Sequence, residues 1–205
     1  LIKNNQYDTI YHEHYSYLSL LSVNNVFKEN GLKIFDVQKI NTHGGSLRVF
    51  AQKRSSKKYK INRNFYLIDK IERKSKLDSI KTYKNFQRIA DKNKDDLIKF
   101  LLDCKRKKLS VAAYGAAAKG NTLLNYAGIK KDLISYVCDS APSKQNKFLP
   151  GTRIPIFPPE YLFKNRPDYL LILPWNIADE IVTQLDKLKK NKTKFFVAIP
   201  KIKIL

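Results

Sequence analysis

The sequence predicts an α/β fold whose second half holds a mostly parallel sheet. From residue 109 onward, short apolar runs alternate with helical patterns, as expected when helices cover both faces of a parallel sheet. Before that point, one helical pattern and two strand patterns predict a helix followed by an antiparallel strand pair. Across 205 residues, the 43% hydrophobic and 12% aromatic content is sufficient for a packed core.

The elements of the first half are bounded by glycine and by polar segments. A helical pattern runs to Asn30-Gly31, where the glycine predicts the end of the helix. Leu32 to Ile40 and Leu47 to Gln52 predict the two strands. Residues 53–62 are polar and basic, and they form the candidate domain boundary. Phe65 to Lys108 predict a long, charged helical segment.

The elements of the second half form one alternating series. In chain order they are a strand over 111–114, a loop over 115–120, a helix over 121–126, strands over 134–138 and 169–173, a helix over 177–188 and a strand over 195–199. Asn176 is expected to cap the helix that follows it. Trp175 is expected to be partly exposed and to face a ligand, because open α/β sheets bind ligands beyond the carboxyl ends of their strands.

The formal charge of +22 invites comparison with nucleic-acid-binding proteins. Lysine supplies 32 of the 40 basic residues, whereas specific binders favour arginine, whose planar group contacts phosphate and guanine at two points. We therefore favour a lysine and asparagine bias from an AT-rich genome over a nucleic-acid interface. The positive field would still attract an anionic substrate.

Several simple signals bound the class of protein. No run approaches 18 apolar residues and the start does not resemble a signal peptide, so neither membrane spanning nor export is predicted and a cytoplasmic location is expected. Cys104 and Cys138 lack CxxC spacing and are expected to be reduced thiols. The chain begins at Leu1 and has no methionine, so we expect a piece of a longer protein.

The most reactive segment is Tyr11-His12-Glu13-His14-Tyr15-Ser16-Tyr17, which holds two of the three histidines. Imidazole moves protons near neutral pH, a carboxylate can orient it, and a phenol can hydrogen-bond an oxyanion. We interpret this reactive run as a proton-transfer centre. It would form either a helix, with Tyr11 and His14 on one face, or a strand.

Two other interpretations of the reactive run stay open. The first is a polar turn whose aromatic rings only pack. The second is a zinc site made by His12, His14 and His43, with or without Glu13. The run lacks HExxH spacing and has no cysteine nearby, so the predicted metal content of this chain is none.

The loop from Gly115 to Gly120 lies between a predicted strand and helix, where a helix N-terminus can hold an anion. It is not a Walker A loop, because Asn121 stands where lysine is required, and it departs from GxGxxG at Ala117. Asp139, at the end of the next strand, is placed like the ribose-binding acid of a dinucleotide site. Close packing of strand and helix through small residues explains the loop equally well.

Five blocks together resemble S-adenosylmethionine-dependent sugar C-methyltransferases, which act on nucleotide-linked keto-sugars. The blocks lie in family order across nearly the whole chain: Tyr7 to Tyr17, Thr42 to Arg48, Tyr114 to Thr122, Asp139 to Pro150 and Leu171 to Asn176. The resemblance implies three regions. Residues 1–54 would be the tail of a class I methyltransferase domain, 55–108 a linker and long helical segment, and 109–205 a Rossmann-like domain.

The resemblance also implies roles for single residues. His14 resembles the general base that removes the proton next to the ketone. Tyr11 resembles the phenol that stabilises the enolate, and Glu13 resembles the acidic neighbour that helps to set the site. The carbanion carbon then attacks the methyl group of S-adenosylmethionine. By position, three further residues are expected to contact the substrate: Ser46, Arg48 and Lys119.

The family's S-adenosylmethionine-binding loop and zinc-binding cysteines are expected upstream of Leu1, so this chain alone should not methylate a substrate. The expected partner is a nucleotide-linked keto-sugar rather than a nucleic acid or a membrane, and no oligomeric state is predicted. Two alternatives remain. One is a Rossmann-type NAD(P)-binding oxidoreductase fragment that uses Gly115–Gly120 and Asp139, and the other is a basic nucleic-acid-binding module.

Overall fold

A computed structural model describes residues 1–40 and 45–205. By their contacts these residues form two compact units, which we call the sheet unit (1–13 and 88–205) and the hairpin unit (14–87). The predicted α/β class is confirmed, because helices accompany a two-stranded and a six-stranded sheet. The domain bounds at 54 and 108 stay a prediction.

The hairpin unit is built on an antiparallel strand pair, as predicted. Strands β1 (Leu32–Ile40) and β2 (Ser46–Lys53) are joined by hydrogen bonds along their length. Helices α1 (Leu20–Glu29) and α2 (Arg63–Lys74) belong to the same unit. The core of this unit is apolar and small, and its buried members are Leu20, Ile34, Val37 and Ile68.

The predicted long helical segment forms two helices, α2 and α3 (Ile80–Arg106). They are separated at residues 75–79, where Lys76 adopts a left-handed conformation with φ of 51°. A non-glycine residue is rarely found in this conformation inside a helix. The carboxyl-terminal part of α3 belongs to the sheet unit, where Phe100 packs against the rings of Tyr169 and Phe196.

The sheet unit holds six strands in the order β5-β4-β3-β6-β7-β8. In chain order they are β3 (Val111–Tyr114), β4 (Val137–Cys138), β5 (Ile156–Phe157), β6 (Tyr169–Ile172), β7 (Lys194–Val197) and β8 (Lys203–Ile204). All neighbours are parallel except β7 and β8. The chain order reverses between β3 and β6, and open sheets bind ligands at such a point, beyond the carboxyl ends of the strands.

Four helices accompany these strands. They are α4 (Ala118–Tyr126), α5 (Tyr161–Lys164), α6 (Ala178–Gln184) and α7 (Asp186–Lys190). Leu170 and Phe195 point to the sheet face covered by Ile181 of α6 and Leu188 of α7. Since α3 packs against other residues of the same strands, β6 and β7 are buried on both faces and read as continuous apolar runs.

The structure differs from the predicted elements mainly in short segments. Helix α4 begins three residues earlier than predicted. Its N-cap is Ala117, and the sequence does not mark this start because alanine has no capping side chain. The helix predicted over 177–188 is divided into α6 and α7. Strands β5 and β8 were not predicted, and each has only two residues. None of the described helices is both long and apolar enough to cross a membrane.

Candidate functional site

The reactive run forms neither the helix nor the strand that its spacing allowed, so that expectation was wrong. Residues 11–13 make a turn and residues 14–18 have no regular structure. The side chains of His12 and Glu13 are 86% and 68% exposed, with 3.9 Å between the imidazole Nε2 and a carboxylate oxygen. His14 is also exposed. The turn follows the 3-10 turn Tyr7–Thr9 and precedes the capped helix α1.

The aromatic groups of the run are close to their sequence neighbours. The ring centres of Tyr11 and His12 are 6.5 Å apart. The rings of His14 and Tyr17 pack edge to face, with 6.1 Å between their centres. Tyr11 and Glu13 belong to the sheet unit, whereas His14 is the first residue of the hairpin unit. The catalytic roles of these three residues therefore remain predictions.

The chain on each side of the reactive run is firmly held. Upstream, the 3-10 turn Tyr7–Thr9 is buried in the sheet unit, where the Tyr7 hydroxyl donates to Oδ1 of Asn93 at 2.8 Å. Downstream, Ser19 caps α1 through a reciprocal pair of hydrogen bonds with Ser22. The carboxylate of Glu72 also accepts the first two N–H groups of α1 in the hairpin unit.

A second polar cluster lies in the sheet unit, at the carboxyl ends of β3 and β6. The indole N–H of Trp175 donates to Oδ2 of the fully buried Asp8 at 2.6 Å. The Lys119 ammonium stands 4.6 Å from the centre of the same indole ring and donates to Oδ1 of Asn176 at 3.1 Å. We call Asp8, Lys119 and Trp175 the indole cluster.

Burial sets the proton affinities in the indole cluster. Desolvation raises the pKa of Asp8 to about 6, although the hydrogen bond from Trp175 and the charge of Lys119 lower it in part. Desolvation also lowers the pKa of Lys119, against the favourable charge of Asp8. Sequence reasoning assigned no role to Asp8, although Asp8 lies in the block Tyr7 to Tyr17 that resembles the family, three residues before Tyr11.

Two expectations for the segment after β6 have different outcomes. Asn176 does not cap the following helix, so that expectation was wrong: α6 begins at Ala178, after a 3-10 turn over Trp175–Ile177. The amide oxygen of Asn176 is instead used by Lys119. Trp175 is partly exposed, as expected.

The loop from Gly115 to Gly120 is explained by close packing. A Cβ atom at Gly115, whose φ is +93°, would lie 2.4 Å from Pro174, and one at Gly120 would lie 2.8 Å from Leu173. The small residues therefore let β3 and α4 approach the end of β6. Pro174 fills the space beside Gly115, which favours the close-packing interpretation of this loop.

Asp139 bonds to the backbone of two loops. Its Oδ2 accepts the N–H of Ala116 at 2.6 Å and its Oδ1 accepts the N–H of Ala141 at 2.8 Å. Lys144 adds an ion pair at 3.3 Å. These contacts give Asp139 a structural role in joining the loop after β3 to the loop after β4.

The predicted substrate contacts Ser46 and Arg48 lie on a strand of the hairpin unit, away in sequence from the reactive run. Ser46 and Arg48 are on β2, opposite Ile40 and Gln38 of β1, and Arg48 is exposed. His43 lies outside the described residues. Within residues 1–40 and 45–205, no group of three or more histidine, cysteine, aspartate or glutamate side chains is placed to hold a metal ion.

Comparison with known proteins gives two findings. A family model described as the C-methyltransferase C-terminal domain matches residues 41–200. The chain is also similar to the C-methyltransferase NovU of Streptomyces niveus, with 35% identity over 205 residues, which is 100% of this chain and 49% of that protein. The chain thus spans about half the length of the curated relative that it matches.

Proposed function

This chain belongs to the C-methyltransferase family, and from that premise we propose that it provides the proton-transfer residues of a sugar C-methyltransferase. The proposed substrate is a nucleotide-linked keto-sugar, and the proposed methyl donor is S-adenosylmethionine. The observation that carries the proposal is the exposed reactive run, in a chain that is 35% identical over all of its 205 residues to a C-methyltransferase.

The residues of this chain would remove and manage one proton. The neutral imidazole of His14 takes the proton from the carbon next to the ketone, and the C–H electron pair moves into an enolate. The phenol of Tyr11 donates a hydrogen bond to the enolate oxygen, and Glu13 helps to set the proton balance of the site. The carbanion carbon would then bond to the methyl group of S-adenosylmethionine while the methyl–sulfur bond breaks, so that the ketone is restored and S-adenosylhomocysteine leaves. His14 then returns its proton to solvent.

Exposure and anchoring support this assignment. A general base must reach the substrate, and the imidazole of His14 is exposed. A catalytic group must also be positioned, and the buried turn Tyr7–Thr9 of the sheet unit lies only one residue before Tyr11.

The anionic part of the substrate would meet basic residues. We propose Lys119 as one contact, since its ammonium lies beyond the carboxyl ends of β3 and β6, where sheets of this type bind ligands. Ser46 and Arg48 are proposed as contacts on the hairpin unit. The net charge of +22 would draw a nucleotide diphosphate toward any of these residues.

The decisive experiment replaces His14 in the complete enzyme, meaning this chain together with the S-adenosylmethionine-binding region that the activity requires. His14→Asn should lower methyl transfer by about 10²- to 10⁴-fold, the usual contribution of a general base. It should lower the exchange of the substrate α-proton with deuterated water by a similar factor. A panel of nucleotide-linked 4-keto-sugars with labelled S-adenosylmethionine gives the first rate, and mass spectrometry gives the second.

His12→Asn is the matched control, because His12 is an exposed imidazole two residues away with no assigned role. This variant should keep both rates within about threefold of the unaltered enzyme, as expected for a surface substitution. If His14→Asn exchanges the α-proton at the unaltered rate, His14 is not the base and the mechanism is wrong.

A further inference from the structure

The turn that precedes the reactive run is docked on the sheet unit by several polar contacts. The Asn5 side-chain amide donates to the carbonyl of Pro200 at 3.3 Å, and the Tyr7 hydroxyl donates to Asn93. The Thr9 hydroxyl donates to the carbonyl of Gln6 at 2.7 Å and closes the turn. Residues 5–9 are all buried, whereas residue 10 and residues 12–18 are exposed.

Asp8 is the member of this turn that reaches the ligand-binding edge of the sheet. Its partner Trp175 directly follows the segment that leaves β6, and the adjacent Lys119 is in the first turn of α4, which follows β3. The other carboxylate oxygen of Asp8, Oδ1, has no hydrogen-bond partner among the described residues. The bond from Trp175 is thus a directional tie between this turn and the carboxyl end of β6, beside the contacts that Asn5 and Tyr7 make.

The hydrogen bond between Asp8 and Trp175 is connected to the reactive run by only a few residues of hydrogen-bonded backbone. The N–H of Ile10 donates to the carbonyl of Tyr7 at 3.0 Å, so the backbone is hydrogen-bonded up to the residue before Tyr11. A displacement of Asp8 would thus move the start of the run. Misplacement of a catalytic group by about 1 Å can cost about 10²-fold in rate.

We propose that Asp8 is a positioning residue for the proposed reaction: by accepting the indole N–H of Trp175, its carboxylate holds the start of the reactive run at the carboxyl edge of the parallel sheet. This inference rests on the proposed function. It assigns to Trp175 a role in holding the run rather than in facing a ligand. Asp8 itself is fully buried and does not touch the substrate.

The test is a set of variants in the complete enzyme. Asp8→Ala should lower kcat for methyl transfer and for α-proton exchange by about 10- to 100-fold, with KM for S-adenosylmethionine unchanged. Asp8→Asn should restore kcat to within about threefold of the unaltered enzyme, because the amide oxygen can still accept the indole N–H. Trp175→Phe keeps an aromatic ring but removes the donor, so its kcat should fall as in Asp8→Ala.

The double variant decides whether the two residues act through one bond. Asp8→Ala combined with Trp175→Phe should lower kcat no further than either single change, since each alone removes the same interaction. The control is Asp168→Ala at the opposite end of β6, where the carboxylate accepts the N–H and the hydroxyl of Ser110, each at 2.7 Å. This change should lower stability but leave kcat unaltered.

A spectroscopic readout tests the bond without any activity. Trp175 is the single tryptophan of the 205 residues, so the fluorescence of this chain reports on the indole cluster alone. Asp8→Ala should shift the emission, whereas Asp8→Asn and Asp168→Ala should leave it close to that of the unaltered chain.

Three results would overturn the positioning role. They are an unchanged kcat in Asp8→Ala, a loss no different from that of Asp168→Ala, or losses that multiply in the double variant. These failures are distinguishable from failure of the proposed function, which would appear as full activity of His14→Asn whatever the Asp8 variants do.

Discussion

Residues 5–9 and residues 12–18 are neighbours in the chain but differ in almost every structural property. The first segment is buried, and its side chains bond to residues far away in sequence, such as Asn93 and Trp175. The second segment is exposed, lacks regular structure and carries both described histidines. The change from one state to the other occurs within about three residues.

The contrast separates two tasks that the proposed catalytic segment would have to perform. Burial and hydrogen bonds hold a backbone in place, but they also cover the groups that should meet a substrate. Here residues 5–9 are buried and bonded within the sheet unit, whereas residues 12–14 are exposed. Functional residues on a surface segment that is positioned by a rigid scaffold are a common arrangement.

The largest expected effect is on the pH dependence of the free energy of unfolding, to which Asp8 of the buried segment contributes. Burial raises the pKa of Asp8 from 3.8 to about 6, so the folded chain binds this proton more tightly than the unfolded chain. Protonation therefore stabilises the fold fully below about pH 4, and this contribution is lost as the pH rises through about 6. Asp8→Asn should remove that dependence.

Between pH 4 and pH 7, the free energy of unfolding of Asp8→Asn should rise by about 2–3 kcal/mol relative to that of the unaltered chain. Urea unfolding at several pH values measures this difference, and all other titrating groups cancel in the comparison. Asp168→Asn serves as the control, because Asp168 is exposed and is not part of the buried segment 5–9. A pH-independent difference for Asp8→Asn would show that the Asp8 carboxylate is not desolvated.

The next effect compares two tyrosines four residues apart. Tyr7→Phe leaves the buried Oδ1 of Asn93 without its donor, so unfolding should require about 1–3 kcal/mol less. Tyr11→Phe is expected to act on the reaction and to lower methyl transfer in the complete enzyme by about 10²-fold or more. Urea unfolding measures the first effect and the methyl-transfer assay the second. Unaltered methyl transfer in Tyr11→Phe would remove Tyr11 from the proposed mechanism.

The smallest effect is expected at Tyr15, whose side chain is 94% exposed. Tyr15→Ala should change the free energy of unfolding by less than about 0.5 kcal/mol, because it removes little buried area. Thermal unfolding followed by circular dichroism gives the measurement, with Tyr7→Phe run in parallel. A loss of about 2 kcal/mol would mean that this part of the run packs against something when the chain is in solution.

The elements that the sequence predicted well have a local cause. Strand β1 was predicted at its observed bounds and β2 within one residue at each end, because alternating apolar residues follow the glycine that ends α1. The two-residue strands β5 and β8 have no such pattern, since their extended form depends on the neighbouring strands. The start of α4 was missed because Ala117 gives no capping signal.

The candidate site also has one part with a local sequence signal and one part without such a signal. The reactive run could be found from its composition, because its unusual residues are consecutive in the chain. The indole cluster could not, since Asp8 and Trp175 meet only in the folded sheet unit. Asn176 shows the same limit: its sequence context favoured a helix cap, but Lys119 in the first turn of α4 donates a hydrogen bond to its side-chain oxygen.

The tie between Asp8 and Trp175 also bears on how the chain matures on the ribosome. The two residues are separated by 167 positions, so the first emerges long before its partner has been translated. The hydrogen bond that we propose to hold the start of the reactive run can form only after β6, the fourth strand of the sheet unit in chain order, has been made. A polypeptide that ended before Trp175 would contain the reactive run without this partner of Asp8.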